Sequence, residues 1–261
     1  MVQSDSITST ESIKSLVNSA ANTALTVLHF NGVTAMAEKA FNNIIFNAGI
    51  TNVNIIWRFD NIMIGYKLNG QSEILLKPII SIGTSLNGLD KVMEFSENVK
   101  SGMIPYENID LELKKIIELP LIHKRIVYII LDGLAAAFYL KFHHGSFETI
   151  LIVFFAAMAG ETVRYKLQSM AVPGNRIMFI SGLISAGIAS IFLHSGLGTI
   201  EITTLIASVI YLVPGLRMIN GFIDLTSLKY TVIGMQRIIN ALYLLMILAV
   251  VIMIAFTFTN L

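Results

Sequence analysis

The stretch Tyr211-Leu212-Val213-Pro214-Gly215-Leu216-Arg217-Met218-Ile219-Asn220-Gly221-Phe222-Ile223-Asp224-Leu225 sets a Pro-Gly break and three polar groups at the end of an apolar run that begins near Ile202. Proline removes a backbone donor and clashes with the preceding turn, and glycine lowers the cost of irregular backbone. A membrane helix here is therefore expected to break or kink at Pro214 and Gly215. A bilayer tolerates such breaks only where the freed groups face protein or a wet cavity. The stretch reads as part of a transport path.

The rest of the chain supports a membrane setting. Of 261 residues, 54% are hydrophobic and 13% charged, with mean hydropathy +0.71. That is too apolar for an ordinary water-soluble domain. The net charge of +1 gives no global basic surface for nucleic acid. Cysteine is absent, which removes disulfides, thiol nucleophiles and cysteine-bound metal from consideration. The first thirty residues lack a basic start followed by an apolar core, so no cleaved signal peptide is expected.

Two halves of different chemistry follow, and the expected fold is an α-helical integral membrane protein in which a cytoplasmic α+β domain, 1–120, precedes a five-helix membrane domain, 121–261. In the first half, Ile13 to Phe30 and Val33 to Ala48 read as helices, the second capped by Gly49. Asn52 to Phe59 and Asn61 to Leu68 flank Asp60-Asn61 and are rich in β-branched and aromatic residues, a hairpin pattern to which Ser72 to Ile80 adds a third strand. Leu86 to Lys100 and Tyr106 to Leu119 read as helices, punctuated by Gly102 and Pro105.

The second half holds five apolar segments, at about 126–142, 147–167, 177–193, 200–219 and 233–258. A membrane helix needs roughly 20 apolar residues, so the shorter ones imply some thinning or snorkelling. Lys124 and Arg125, Arg164, Lys166 and Arg176, and Arg217, Lys229 and Arg237 all surround connections on one side, while the other side holds only Lys141. The positive-inside rule then puts the amino terminus in the cytoplasm and the carboxyl terminus outside. Small residues at 182, 186 and 190 mark a face for close helix packing.

Arg217, Asn220 and Asp224 fall at i, i+3 and i+7, on one stripe if the helix resumes after the break. Such a stripe could bind a polar solute or relay a proton, or it could simply solvate a helix end at the interface. Asp132 lies six residues into the first span, ~9 Å deep at ~1.5 Å per residue. It is read either as a proton or substrate site, or as a carboxylate that is hydrated or paired with Arg125. Glu161 and Arg164 are spaced for a structural ion pair within one helix. Arg237 either pairs with Asp224 or snorkels. His143 and His144 are adjacent and lack a third ligand nearby, so no metal and no cofactor are expected. Phosphate-loop, dinucleotide, nucleophile-elbow and zinc-protease patterns are missing, which argues against an enzyme.

Leu212-Val213-Pro214-Gly215, followed by Asn220, Asp224, Gly234 and Arg237, resembles the signature of the bacterial threonine/serine exporter (ThrE) family, in particular its amino-terminal module and stand-alone YjjP-like subunits. Gly133-Leu134 through Phe138, the Lys141 to Phe147 loop and Phe154-Phe155-Ala156 follow the order of that family's first two spans. Gly32 with Glu38, and Ala48-Gly49, resemble its cytoplasmic domain. The resemblance covers about residues 20 to 250 and implies that Pro214, Gly215, Asn220, Asp224 and Arg237 are family positions. Asp132 and Glu161 lie outside the pattern. It further implies a bacterial inner-membrane exporter of threonine and serine or of succinate-like dicarboxylates, oligomeric, embedded in lipid, and working with a smaller YjjB-like membrane subunit.

The expected site accordingly comprises Asp132, Arg217, Asn220, Asp224 and Arg237, with proton coupling through a buried acid. The competing expectation is a non-transporting membrane assembly or sensor whose cytoplasmic domain binds a ligand or protein.

Overall fold

A computed structural model describes residues 10–46, 50, 52–68, 70–79, 83–120, 122–197 and 202–259. The chain folds as two compact units, Met1–Pro120 with Leu216–Ile239, and Leu121–Gly215 with Asn240–Leu261. Leu216–Ile239 thus packs with the residues up to Pro120.

The first unit opens with α1 (Thr10–His29) and α2 (Thr34–Ile45). Strands β1 (Asn54–Trp57), β2 (Asn61–Leu68) and β3 (Gln71–Pro78) then form an antiparallel sheet in that order. Gly70 adopts φ +81 in the β2–β3 turn, a conformation that side chains other than glycine resist. Along β2 the side chains alternate, and Ile62, Ile64, Tyr66 and Leu68 enter the core beside Val17, Leu28, Phe41 and Ile44 of the helices.

Helix α3 (Leu86–Lys100) matches its sequence-based boundaries and is capped by Ser85, whose hydroxyl accepts from Gly88 N at 3.1 Å. The helix expected over Tyr106 to Leu119 is shorter. A 3₁₀ turn at Tyr106–Asn108 precedes α4 (Ile109–Ile117), which ends before Pro120 because the residue ahead of a proline is pushed away from helical backbone. The expected cap at Gly49 and the end of the third strand at Ile80 lie outside the described residues.

The second unit contains α5 (Arg125–Phe142), α6 (Phe147–Ser169), α7 (Gly174–His194), α8 (Ile202–Val209) and a 3₁₀ turn, Ile210–Leu212. The break expected at Pro214 is present. Val213 is extended, as a residue before proline should be, and α9 (Gly215–Leu225) starts directly after Pro214. A turn at Leu228–Tyr230 leads into α10 (Thr231–Thr259), whose first residues belong to the first unit and whose remainder belongs to the second.

Among the described residues, α7 and the stretch Leu228–Phe258 are long and apolar enough to cross a bilayer, and α8 with α9 would add a third span as one sharply bent pair. Helices α5 and α6 are long too, but carry Arg125, Asp132 and Lys141, and Glu148, Glu161, Arg164 and Lys166 respectively. The small face of α7 is buried: Gly182 meets Leu212, Leu248 and Val251, and Ala186 is fully enclosed. A glycine there brings neighbouring helices into ordinary van der Waals contact.

Candidate functional site: two buried acid–base pairs

In the first unit, the α1–α2 turn prepares two acceptors. Asn31 takes the left-handed conformation (φ +63), and the Asn31 and Gly32 amides return to Leu28 O and Val27 O at 2.9 Å each, a Schellman closure of α1. Gly32 is tightly held; a Cβ there would lie 2.7 Å from Val27 Cγ1 and 2.8 Å from Leu89 Cδ1. The carbonyls of Asn31 and Gly32 are thereby left for other donors. Asn220 Nδ2 donates to Asn31 O, and Arg237 Nη2 donates to Gly32 O at 3.0 Å.

Asp224 completes the group. Helix α2 has no side-chain cap of its own at Val33, and the Asp224 carboxylate supplies one from 190 residues away. Its Oδ1 accepts from Thr34 N at 3.0 Å and its Oδ2 from Thr34 Oγ1 at 2.8 Å, with Arg237 Nε 3.3 Å from Oδ2. A carboxylate at a helix N-terminus satisfies orphan amides and meets the positive end of the helix dipole. Asn220, Asp224 and Arg237 are all buried, and Arg237 Nη1 has no hydrogen-bond partner among the described residues. Arg217 lies on the same helix, half-buried.

Glycines allow this arrangement. A Cβ on Gly234 would approach Gly221 O and Leu225 N at 2.9 Å, and one on Gly221 would meet Ile238 Cγ1 at 2.8 Å. Helix α9 and the start of α10 therefore touch backbone to backbone. Further bonds fix them to the rest of the unit: Glu38 accepts from Lys229 Nζ, from Tyr230 OH at 3.0 Å and from Trp57 Nε1 at 3.3 Å, and Gln236 Oε1 accepts from Phe59 N at 2.9 Å. Helix α9 buries Asn220, Gly221 and Asp224 while exposing Ile219, Phe222 and Ile223. That reverses the pattern of a helix facing water, and suits a helix whose outer side meets apolar surroundings.

The second unit holds the other pair. Glu161 is 3% exposed, and its Oε2 accepts from Arg164 Nη1 at 3.0 Å. Asp132 of α5, half-buried, lies within electrostatic reach of Arg164 and Glu161. Beside them, Gly160 faces a pair of hydroxyls, Ser185 Oγ and Tyr211 OH, 2.9 Å apart. A Cβ on Gly160 would fall 1.8 Å from Ser185 Oγ, 2.2 Å from Tyr211 OH and 2.8 Å from Ser181 O. Ser181 Oγ is buried without a hydrogen-bond partner among the described residues. Four elements thus converge on one polar group inside an apolar unit. Arg125 rests 5.6 Å above the Tyr165 ring rather than in a bond to Asp132.

Of the residues singled out from the sequence, Asn220, Asp224 and Arg237 come together, Glu161 pairs with Arg164, and Asp132 belongs with the latter pair. Thr34 and Tyr211 were not read as site residues, and Ser181 and Ser185 counted only as small residues of a helix-packing face; Tyr211, three residues before Pro214, lay in the stretch that the break marked. His143 packs its ring on Tyr139 at 4.6 Å, and no metal-holding cluster of His, Asp or Glu occurs among the described residues.

These features define a class: a mostly helical membrane protein whose apolar helices enclose ionisable side chains. The family model described as "Putative threonine/serine exporter" (ThrE) matches residues 21–259, nearly the whole chain, and the protein belongs to that family. No curated protein and no solved structure matches it.

Proposed function

We propose that this chain is a membrane component of an exporter for threonine and serine, with the polar group of the second unit as its solute path. The observation that carries this reading is Glu161, an acid 3% exposed inside the helical second unit and paired, among the described residues, through its own helix to Arg164. Ionisable groups inside membrane helices are costly and are retained where ions or solutes pass. The five spans are α5, α6, α7, the α8–α9 pair and α10, in a bacterial inner membrane with the amino terminus in the cytoplasm. A smaller YjjB-like subunit completes the pathway.

In this mechanism Arg164 swings from Glu161 to a solute carboxylate, which it holds by a two-point contact. Glu161 and Asp132 then face the solute ammonium, while Ser181, Ser185 and Tyr211 offer partners for its hydroxyl. Proton uptake by Glu161 releases the ammonium and links export to the proton gradient. Two acids against one arginine suit a zwitterion better than a succinate-like dianion, whose second carboxylate would meet like charge. Asn220, Asp224 and Arg237 serve as an anchor, since their bonds run to Asn31, Gly32 and Thr34.

The test is flux from vesicles holding the full chain, with and without the smaller subunit, loaded with labelled threonine, serine or succinate. Arg164→Gln and Glu161→Gln, inserted at normal levels, are expected to lose at least about tenfold in amino-acid flux, the cost of one charged contact. Wild-type rates in both variants would exclude this path. Absence of flux under every condition would favour the non-transporting assembly.

A further inference from the structure

Strand β3 leaves one edge open: β2 pairs with it on one side, and among the described residues no strand pairs with it on the other. It is eight residues long and without an interior proline; on one face Glu73, Leu75 and Lys77 are half-buried, with Lys14 and Asn22 of α1 bound to Glu73 at 2.8 Å and to Lys77 at 3.0 Å, while the other face is exposed. Ile74 is 70% exposed and Leu76 59%. The register sets Leu76 opposite Met63 and Met63 opposite Ile56, so one sheet face carries a row of exposed apolar side chains ending at this edge. Long apolar edges recruit another strand unless charge, proline or a bulge protects them.

The sequence of the strand identifies the recruit. Gln71-Ser72-Glu73-Ile74-Leu75-Leu76-Lys77-Pro78 is self-complementary about Leu75. Laid antiparallel against a second copy and centred there, Glu73 faces Lys77 of that copy, Ile74 faces its Leu76, and each relation recurs in reverse. Opposite charges and apolar pairs directly across an antiparallel ladder are both favourable. The backbone phase agrees. Ile79 N donates to Asp60 O at 2.8 Å, so odd-numbered positions turn their backbone groups to β2, and Ser72, Ile74 and Leu76 turn theirs to the open edge. Pro78 also falls on the open side and has no N–H to donate to Ser72 of a second copy, so the paired stretch is centred on residues 74 to 76 and ends at Pro78.

We propose that two copies of this chain join through β3, antiparallel and centred on Leu75, into one six-stranded sheet. The interface is isologous, as a twofold homodimer requires. The apolar row Ile56, Met63 and Leu76 then continues onto Ile74 of the second copy.

The chain contains no cysteine, so single thiols can be placed without background. Residues directly opposite in such a ladder hold their Cβ atoms about 4.5–5.5 Å apart, within reach of a disulfide or a short thiol reagent. In membranes holding the full chain, Leu75→Cys should yield covalent dimer several-fold above Ile74→Cys or Leu76→Cys alone, since only residue 75 faces itself. Ile74→Cys with Leu76→Cys in one chain should restore the yield. Adding Ile74→Pro to Leu75→Cys removes an N–H that the monomer does not use, and should return dimer to background while the size-exclusion profile stays folded. Equal yields from the three single thiols, no dimer from Leu75→Cys, or dimer indifferent to Ile74→Pro would each overturn the proposal.

Discussion

The Asp224–Arg237 and Glu161–Arg164 pairs are both buried acid–base pairs near apolar helices, and they differ in what else holds them. Asp224 and Arg237 side chains are 1% and 5% exposed, and each also bonds the α1–α2 turn. Glu161 is equally enclosed, at 4%, but Arg164 is 34% exposed and the pair spans a single helical turn. A pair that joins distant segments and caps a helix cannot open without breaking the unit. A local pair with one partly exposed member has fewer bonds to break before it exchanges partners. The contrast is the physical ground for proposing one pair as an anchor and the other as a site.

The contrast is tested most severely by removing one member of the anchor. Arg237→Ala or Asp224→Ala should cost about 3–5 kcal/mol, as loss of one partner from a buried pair does. The readout is collapse of the monodisperse peak and a large fall in thermal midpoint in detergent. Gly234→Ala comes next: its Cβ would meet backbone atoms that cannot move aside, at about 1–3 kcal/mol for overpacking. A melting shift of that rank, with Gly187→Ala as a comparison in open space, would check it. Thr34→Ala removes one hydroxyl donor to Asp224 while leaving the amide bond, and should cost about 1 kcal/mol. Arg164→Gln is expected to move the melting temperature least, because Glu161 can take a proton instead of staying charged, yet to reduce flux most. A fall in stability matching that of Arg237→Ala would erase the distinction between anchor and site.

How far these pairs were legible in the sequence follows from the range of their contacts. Glu161 and Arg164 stand at i and i+3, so helical geometry alone predicts their bond. Asn220, Asp224 and Arg237 could be placed on one polar stripe by spacing. Their partners could not, since Asn31, Gly32 and Thr34 lie 189 to 205 residues away and carry no periodic mark of the contact. The hydroxyls of Ser181 and Ser185 look like ordinary small residues on a packing face. Gly160 reads as one more glycine until the surroundings of its absent Cβ are known.

Residue order alone was enough for the membrane class, the change of character at Pro120, most helix and strand limits, and the break at Pro214. Each of these depends on local propensity, on hydrophobic period or on the covalent restrictions of proline. That Leu216–Ile239 packs with the amino-terminal unit, and that Asp224 caps α2, emerged only from the folded chain. Those outcomes rest on hydrogen bonds between segments far apart in the chain, and on backbone contact at Gly221 and Gly234, whose energies appear only once folding has brought the segments together.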